Sequence, residues 1–176
     1  MELNQDIPRM GYIMCVRKLE KADFFGRAIY NTQKKFGLSE IASQYVHVEV
    51  LTGGYNSIRV APPTTQIIDD FTKFYKGKYI CIRRLKNDEY ENKLRYKIAT
   101  WAASHCNLKY DWFGIGHFLF GKWLTGSKIK YFCSENTIWA IRKELPNVMN
   151  GINTDMVMPG HFIDSNEFET VWEGQL

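Results

Sequence analysis

The sequence predicts an α+β fold in which helices pack on a mainly antiparallel sheet. Two alternating segments, residues 44–51 and 55–61, flank the turn sequence TGG, a pattern typical of a β-hairpin. Elsewhere apolar residues recur at helical spacing. Composition adds a third observation, because 45% of the side chains are hydrophobic, which is enough for a sizeable core. We expect residues 1–176 to form a single domain.

The first predicted elements are a strand and a helix. Residues 12–18 (YIMCVRK) are rich in apolar and β-branched side chains and predict a strand. A helix is predicted from Lys21 to Phe36, with Gly37 ending it. The apolar face of this helix, expected to be buried, consists of Phe25, Ala28, Ile29 and Phe36.

Alternation in the hairpin separates two faces of its first strand. Three valines, at positions 46, 48 and 50, point one way and are expected to face a core. Tyr45, His47 and Glu49 point the other way. We expect this polar face to lie against solvent or a cleft.

The second half of the chain alternates strand and helix patterns again. Residues 79–85 predict a strand, and a helix capped by Asn87 or Asp88 follows. The apolar face of that helix consists of Leu94, Ile98, Trp101 and Ala102. A strand-like run, residues 129–132, then leads through Cys133 into a last predicted helix, which Pro146 ends. The apolar face of this helix consists of Ile138, Ile141 and Leu145. The closing segment shows no strong period, but its aromatic residues indicate that it is ordered.

Several classes of function are disfavoured by composition. The net charge is only +4 and the lysines are scattered, so nucleic acid is not an expected partner. No apolar run approaches the ~18 residues of a membrane span, and no secretion signal is visible, so we expect a cytoplasmic chain with free thiols and no integral membrane segment. The four cysteines and four histidines are dispersed without metal-ligand spacing. No metal or cofactor is therefore expected.

Cys133 is the strongest candidate for chemistry because it lies where the strand-like run meets a helix. The unpaired N–H groups and the dipole at a helix start favour a thiolate over a thiol, which makes the cysteine a better nucleophile. A nucleophile of this kind needs a base, and His47 on the polar face of the hairpin is the candidate. Sequence separation alone does not show whether the two residues meet.

These residues resemble a known family. The motif YFCSEN around Cys133, the upstream segment HVEVLTGGYNSIRVAP with its strand histidine, and KYDWFG around Tyr110 are similar to motifs of the circularly permuted papain-like hydrolases. This is the YiiX/YaeF-like group of the NlpC superfamily, related to lecithin:retinol acyltransferase. The opening strand and the closing segment MPGHFIDSNEFETVW are also similar, so the resemblance covers about residues 10–172.

The resemblance implies a permuted papain-like fold and a role for each site residue. Cys133, at a helix N-terminus, would be the nucleophile, His47 the general base and acid, and Tyr110 a neighbour that positions the cysteine or the oxyanion. The backbone N–H of Cys133 is an expected oxyanion donor. The implied activity is cysteine hydrolysis of an amide or ester through an acyl-enzyme. The implied substrate is a small molecule, a peptide or an acyl-amide. A lipid or acyl chain would enter a hydrophobic pocket. The stretch from Trp112 to Trp123 could line this pocket, or it could equally be a packed segment of the core.

One position departs from the family pattern. The acceptor that orients the histidine falls at about Arg59, and a guanidinium has no acceptor. Glu49, two residues from His47 on the same face, is the obvious substitute, and Glu135 and Asn136 are weaker candidates. The site is therefore a rearranged triad, a dyad or a degenerate site. An acyltransferase and a catalytically inactive binding module are the alternative functions. The sequence does not decide between a bacterial, a phage and another viral origin.

Overall fold

The computed structural model describes residues 3–4, 6–17, 24–86, 92–110 and 132–176. The strands are β1 (Ile13–Arg17), β2 (Tyr45–Gly53), β3 (Asn56–Val60), β4 (Thr65–Ile68), β5 (Tyr79–Leu85) and β6 (Phe168–Gln175). The helices are α1 (Phe24–Lys35), α2 (Glu40–Ser43), α3 (Phe71–Phe74), α4 (Asn92–Ala103), α5 (Cys133–Arg142) and α6 (His161–Asp164), with a 3₁₀ turn at Thr154–Met156. The strands form one antiparallel sheet in the order β4-β3-β2-β1-β5-β6. The predicted α+β class and antiparallel sheet are confirmed.

Both faces of the sheet are buried. On the first face, alternate residues of the central strands, such as Ile13, Val48 and Val50, form one cluster with residues of α4 and α5. On the second face, the intervening residues, such as Met14 and Leu51, form another cluster with side chains in and after α3. Because successive strand residues point to opposite faces, a strand that is buried on both sides has mostly apolar residues at all of its positions.

The predicted hairpin is present, but a bulge changes one face assignment. Strand β2 opposes β3 from the pair Val50–Ile58 to the pair Gly53–Asn56. Against β1, the register shifts between the pairs Val16–His47 and Arg17–Tyr45. This extra residue reverses the alternation, as β-bulges do, so Tyr45 lies in the first-face cluster and not beside His47. The prediction that Tyr45 shares the face of His47 is wrong.

Helix α1 forms where it is predicted, but it does not bury the predicted face. Phe25 and Phe36 are 42% and 53% exposed, whereas Gln33 is fully buried. The amide of Gln33 donates to the carbonyl oxygens of Ser43 and Tyr45, both at 2.9 Å. This polar connection, which hydrophobic periodicity cannot reveal, orients the helix.

Strands β4 and β6 and helix α3 were not predicted. Strand β6 pairs with β5 from Gln175 opposite Tyr79 to Phe168 opposite Leu85, so the end of the chain belongs to the same sheet as its beginning. Helix α4 buries Ile98 and Ala102 as expected. Trp101 of the same helix remains 38% exposed, contrary to prediction, because its ring lies where Nε1 donates to Glu144 at the surface.

Some predictions fall outside the described residues. They are the helix caps at Asn87 and Asp88, the aromatic stretch from Trp112 to Trp123, and the strand-like run up to residue 131. Among the residues described, no helix combines the length and the apolar character that crossing a membrane requires.

Candidate active site

Cys133 is the first residue of α5, and its sulfur interacts with the beginning of its own helix. Phe132 before it is extended, and the helix has no side-chain cap. The N–H of Ser134 donates to the Cys133 sulfur, which thus accepts from a donor that lacks an intrahelical partner. A second N–H, from Val48 of β2, reaches the same sulfur. The local fold therefore presents two backbone donors to the position where a thiolate charge would lie.

His47 of β2 connects this sulfur to a carboxylate. Its side chain interacts with the Cys133 sulfur, and each of the two groups shifts the pKa of the other towards its charged form. On its other side, Nε2 lies 3.0 Å from Oε1 of Glu49. Because Nε2 is engaged by Glu49, Nδ1 is the nitrogen left for the sulfur. The structure therefore brings three of the four predicted site residues together.

Glu49 is completely buried and lies at the centre of a group of donors. Ser57 Oγ donates to its Oε2 at 2.5 Å, and the hydroxyl of Tyr75 donates to its Oε1. Arg59 adds a positive charge, with Nε 3.9 Å from the same Oε1. These partners compensate the cost of burying a carboxylate. The expectation that this face meets solvent or a cleft is wrong for Glu49, because Tyr75, at the end of α3, covers it.

The hairpin geometry explains how Glu49 and Arg59 meet. Val50 opposes Ile58 and Leu51 opposes Ser57, so continuing the register places Arg59 opposite Glu49. Opposite charges on directly opposed positions of an antiparallel pair attract each other. Arg59 therefore lies against the carboxylate that contacts His47 and does not replace it.

The charges of the site reinforce one another. Burial acts to raise the pKa of Cys133, but the charge and hydrogen bond of His47, with the N–H groups of Val48 and Ser134, outweigh burial and hold this pKa below its ordinary value. Burial acts to lower the pKa of His47, but the thiolate of Cys133 and the carboxylate of Glu49 raise it to about 9. Both shifts favour the charged form of the pair, a thiolate beside an imidazolium.

The Glu49 carboxyl is ionised beside this pair. Burial acts to raise its pKa, but hydrogen bonding and charge from His47, with the hydroxyls of Ser57 and Tyr75, lower the pKa below its ordinary value. Such a carboxylate can fix the orientation and tautomer of an imidazole.

The other candidate residues are placed differently. Tyr110 is buried in the same large hydrophobic cluster as Cys133. Asn136 has its Oδ1 2.5 Å from Nδ1 of His105, so its side chain is engaged by that histidine. Burial lowers the pKa of His105, as expected of a structural histidine. Glu135, in the first turn of α5, is half-buried.

Two residues of the site were missed from the sequence. Ser57 could have been found, because alternation along β3 places it on the same face as Arg59 and hence near Glu49. Tyr75 could not, because it follows a helix that was not predicted and contacts a residue 26 positions earlier. In the described part of the chain, no group of three or more histidine, cysteine, aspartate or glutamate side chains could hold a metal ion.

No family model matches the sequence, and no curated protein matches it either. A thiolate with an adjacent imidazolium and an orienting carboxylate has the components of nucleophilic catalysis on a carbonyl carbon.

Proposed function

We propose that this chain is a thiol hydrolase that cleaves an amide or ester bond through an acyl-enzyme on Cys133. The observation that carries the proposal is the continuous connection from the Cys133 sulfur, through the His47 imidazole, to the buried Glu49 carboxylate. A buried cysteine without such partners behaves as a small hydrophobic residue, and its pKa rises. The lowered pKa of Cys133 distinguishes it from that case.

The reaction follows from the protonation states of the pair. The Cys133 thiolate attacks the carbonyl carbon, and the backbone N–H of Cys133, at the helix start, donates to the developing oxyanion. The His47 imidazolium gives its proton to the leaving amine or alcohol, which leaves a thioester and a neutral imidazole. His47 then takes a proton from water as the water attacks the thioester. The thiolate departs, and the released carboxylic acid and the imidazolium complete the cycle.

The resemblance to the permuted papain-like hydrolases supports the same proposal. His47 precedes Cys133 in the chain, the histidine lies on a strand of an antiparallel sheet, and the cysteine begins a helix. Arg59, the residue that favours an inactive binding module, lies against Glu49, while Glu49 itself accepts from His47. The departure from the family pattern therefore no longer leaves the histidine without a partner.

Trapping the acyl-enzyme tests this proposal. The protein is mixed with p-nitrophenyl acetate, quenched in acid, and mapped by peptide mass spectrometry. We expect an acetyl group on Cys133 and release of p-nitrophenol, both lost in Cys133→Ala. Cys106→Ala is the matched control, because Cys106 is another free thiol and is only half-buried. Acetylation spread evenly over the cysteines, or release of p-nitrophenol that persists in Cys133→Ala, would contradict the proposal.

The class of acyl group is tested by lengthening the ester. A hydrophobic acyl pocket would give about 0.8 kcal/mol per buried methylene, so kcat/KM is expected to rise from acetate to medium-chain esters. A flat or falling series would favour short polar substrates, as a peptidase would take. Adding an alcohol or amine acceptor and analysing products separates hydrolysis from acyl transfer on the same scaffold.

A further inference from the structure

Arg59 has an unusual place in the site because it carries a charge but makes no direct hydrogen bond to the carboxylate. Its Nε is 3.9 Å from Oε1 of Glu49, beyond hydrogen-bonding distance. That nitrogen is buried and has no hydrogen-bond partner within the described parts of the chain. The interaction with Glu49 is therefore one of charge with charge.

Two aromatic side chains keep the guanidinium in this place. Its central carbon lies 5.1 Å from the ring centre of Phe74, a distance typical of a cation–π contact. Tyr75, the next residue, interacts with the Arg59 side chain and also donates to Glu49. Together with the hairpin register, these contacts fix the position of the positive charge relative to Glu49.

The charges of the site balance only when Arg59 is counted. The Cys133–His47 pair carries no net charge, whether its proton lies on the sulfur or on the imidazole, and Glu49 is an anion. Without Arg59, this buried group would carry a net negative charge, which is costly away from water.

We propose that Arg59 is a positioning residue for the thiol chemistry proposed above: its fixed positive charge, acting through Glu49, keeps the carboxylate ionised and directed at His47. This role rests on the proposed function, because it concerns the same Cys133–His47 pair. Glu49, on the same strand as His47, is the hydrogen-bond acceptor. Arg59, on the neighbouring strand, supplies the positive charge that balances this carboxylate.

The proposal has a definite consequence for pH dependence. The titratable groups that face this region are Cys133 from α5, His47 and Glu49 from β2, and Tyr75 after α3. Removing a nearby cation stabilises the protonated form of every one of them. Each pKa should therefore rise.

The test measures how fast iodoacetamide labels Cys133 as a function of pH, read by peptide mass mapping. The wild-type profile is expected to have two inflections, one for the deprotonation of Cys133 and one for that of His47. In Arg59→Met, both should move to higher pH by about half a unit or more. Arg59→Lys should return them to near the wild-type positions, because it restores the charge. The matched control is Arg84→Met, which removes an arginine from an ion pair with Glu169. Arg84 lies in β5, which β1 separates from β2 in the sheet, so this variant should leave the profile unchanged. A profile of Arg59→Met that superimposes on the wild-type profile would overturn the proposal.

A second variant and the wild-type profile keep the result interpretable. Near-ultraviolet circular dichroism establishes whether Arg59→Met is folded, and Arg59→Gln gives the same reading if it is not. A wild-type profile with a single inflection at the pH of an ordinary thiol would overturn the proposed function, and the role of Arg59 with it. If the wild-type inflection lies below the pH of an ordinary thiol and none of the Arg59 variants moves it, only the role of Arg59 is overturned.

Discussion

Cys133 and the pair Cys15–Cys81 are buried thiols with opposite electrostatic surroundings. Cys15 and Cys81 oppose each other on the adjacent strands β1 and β5, in the same cluster as Cys133. Burial raises the pKa of Cys15 well above its ordinary value and that of Cys81 to about 11. Cys133 is about as buried, yet its pKa is lowered.

The difference shows that partners decide the state of a buried cysteine. Cys15 lies within a strand, where neighbouring strands already use the backbone donors. Cys133 lies at a helix start, where donors are unpaired, and it faces an imidazole.

The largest effect is expected from His47→Gln. Without the imidazole, burial dominates, so the pKa of Cys133 should rise above that of a free thiol, as it does for Cys15. Ester turnover should fall about 10²- to 10⁴-fold, and Cys133 labelling at neutral pH should fall at least about tenfold. Steady-state kinetics and timed labelling measure the two effects. Unchanged labelling would show that His47 does not activate the thiol.

A smaller effect is expected from Glu49→Gln. The amide keeps the shape but loses the charge that orients and stabilises the imidazolium, so turnover should fall about tenfold or more. Glu169→Gln is the matched control, because it removes a carboxylate from a half-exposed ion pair with Arg84, and it should change turnover less than about twofold. Equal turnover in Glu49→Gln and wild type would mean that His47 works without this partner, as in a dyad.

The smallest effect on chemistry is expected from Cys15→Ala. Removing a buried sulfur leaves a small cavity and should lower the free energy of unfolding by about 1 kcal/mol. Turnover and the labelling of Cys133 should stay within about twofold of wild type, because Cys15 supplies neither a donor nor a base. Urea denaturation and kinetics measure both. A loss of turnover like that of His47→Gln would show that the two kinds of thiol are not separate.

Local patterns were enough to predict much of the fold. The hairpin, the strand at residues 79–85 and the helix after Phe132 follow from alternation, a turn signal and helical spacing. Strand β6 was missed because its sequence FETVWEGQ has polar residues on both faces and is defined by pairing with β5. The buried face of α1 was missed because Gln33 orients the helix through hydrogen bonds to the backbone.

The candidate site was predictable only where local rules apply. Alternation along β2 is enough to place Glu49 near His47, and the start of α5 is enough to draw attention to Cys133. The burial of Glu49 was not predictable, since it depends on Tyr75 from a helix far along the chain. The alignment of Arg59 with Glu49 follows from the hairpin register, once the turn is known.

The most direct test of the central claim is the pH dependence of labelling at each cysteine of the wild-type protein. Iodoacetamide reacts with thiolates, so an ordinary thiol labels about tenfold faster per pH unit below its pKa. We expect Cys133 to label before Cys15 and Cys81, with a rate that rises less steeply with pH than that of an ordinary thiol, because its pKa is lowered. Cys106, whose pKa burial raises, should show the steep dependence. Equal labelling of the four cysteines, or a Cys133 rate that rises with pH in parallel with that of Cys106, would contradict the account.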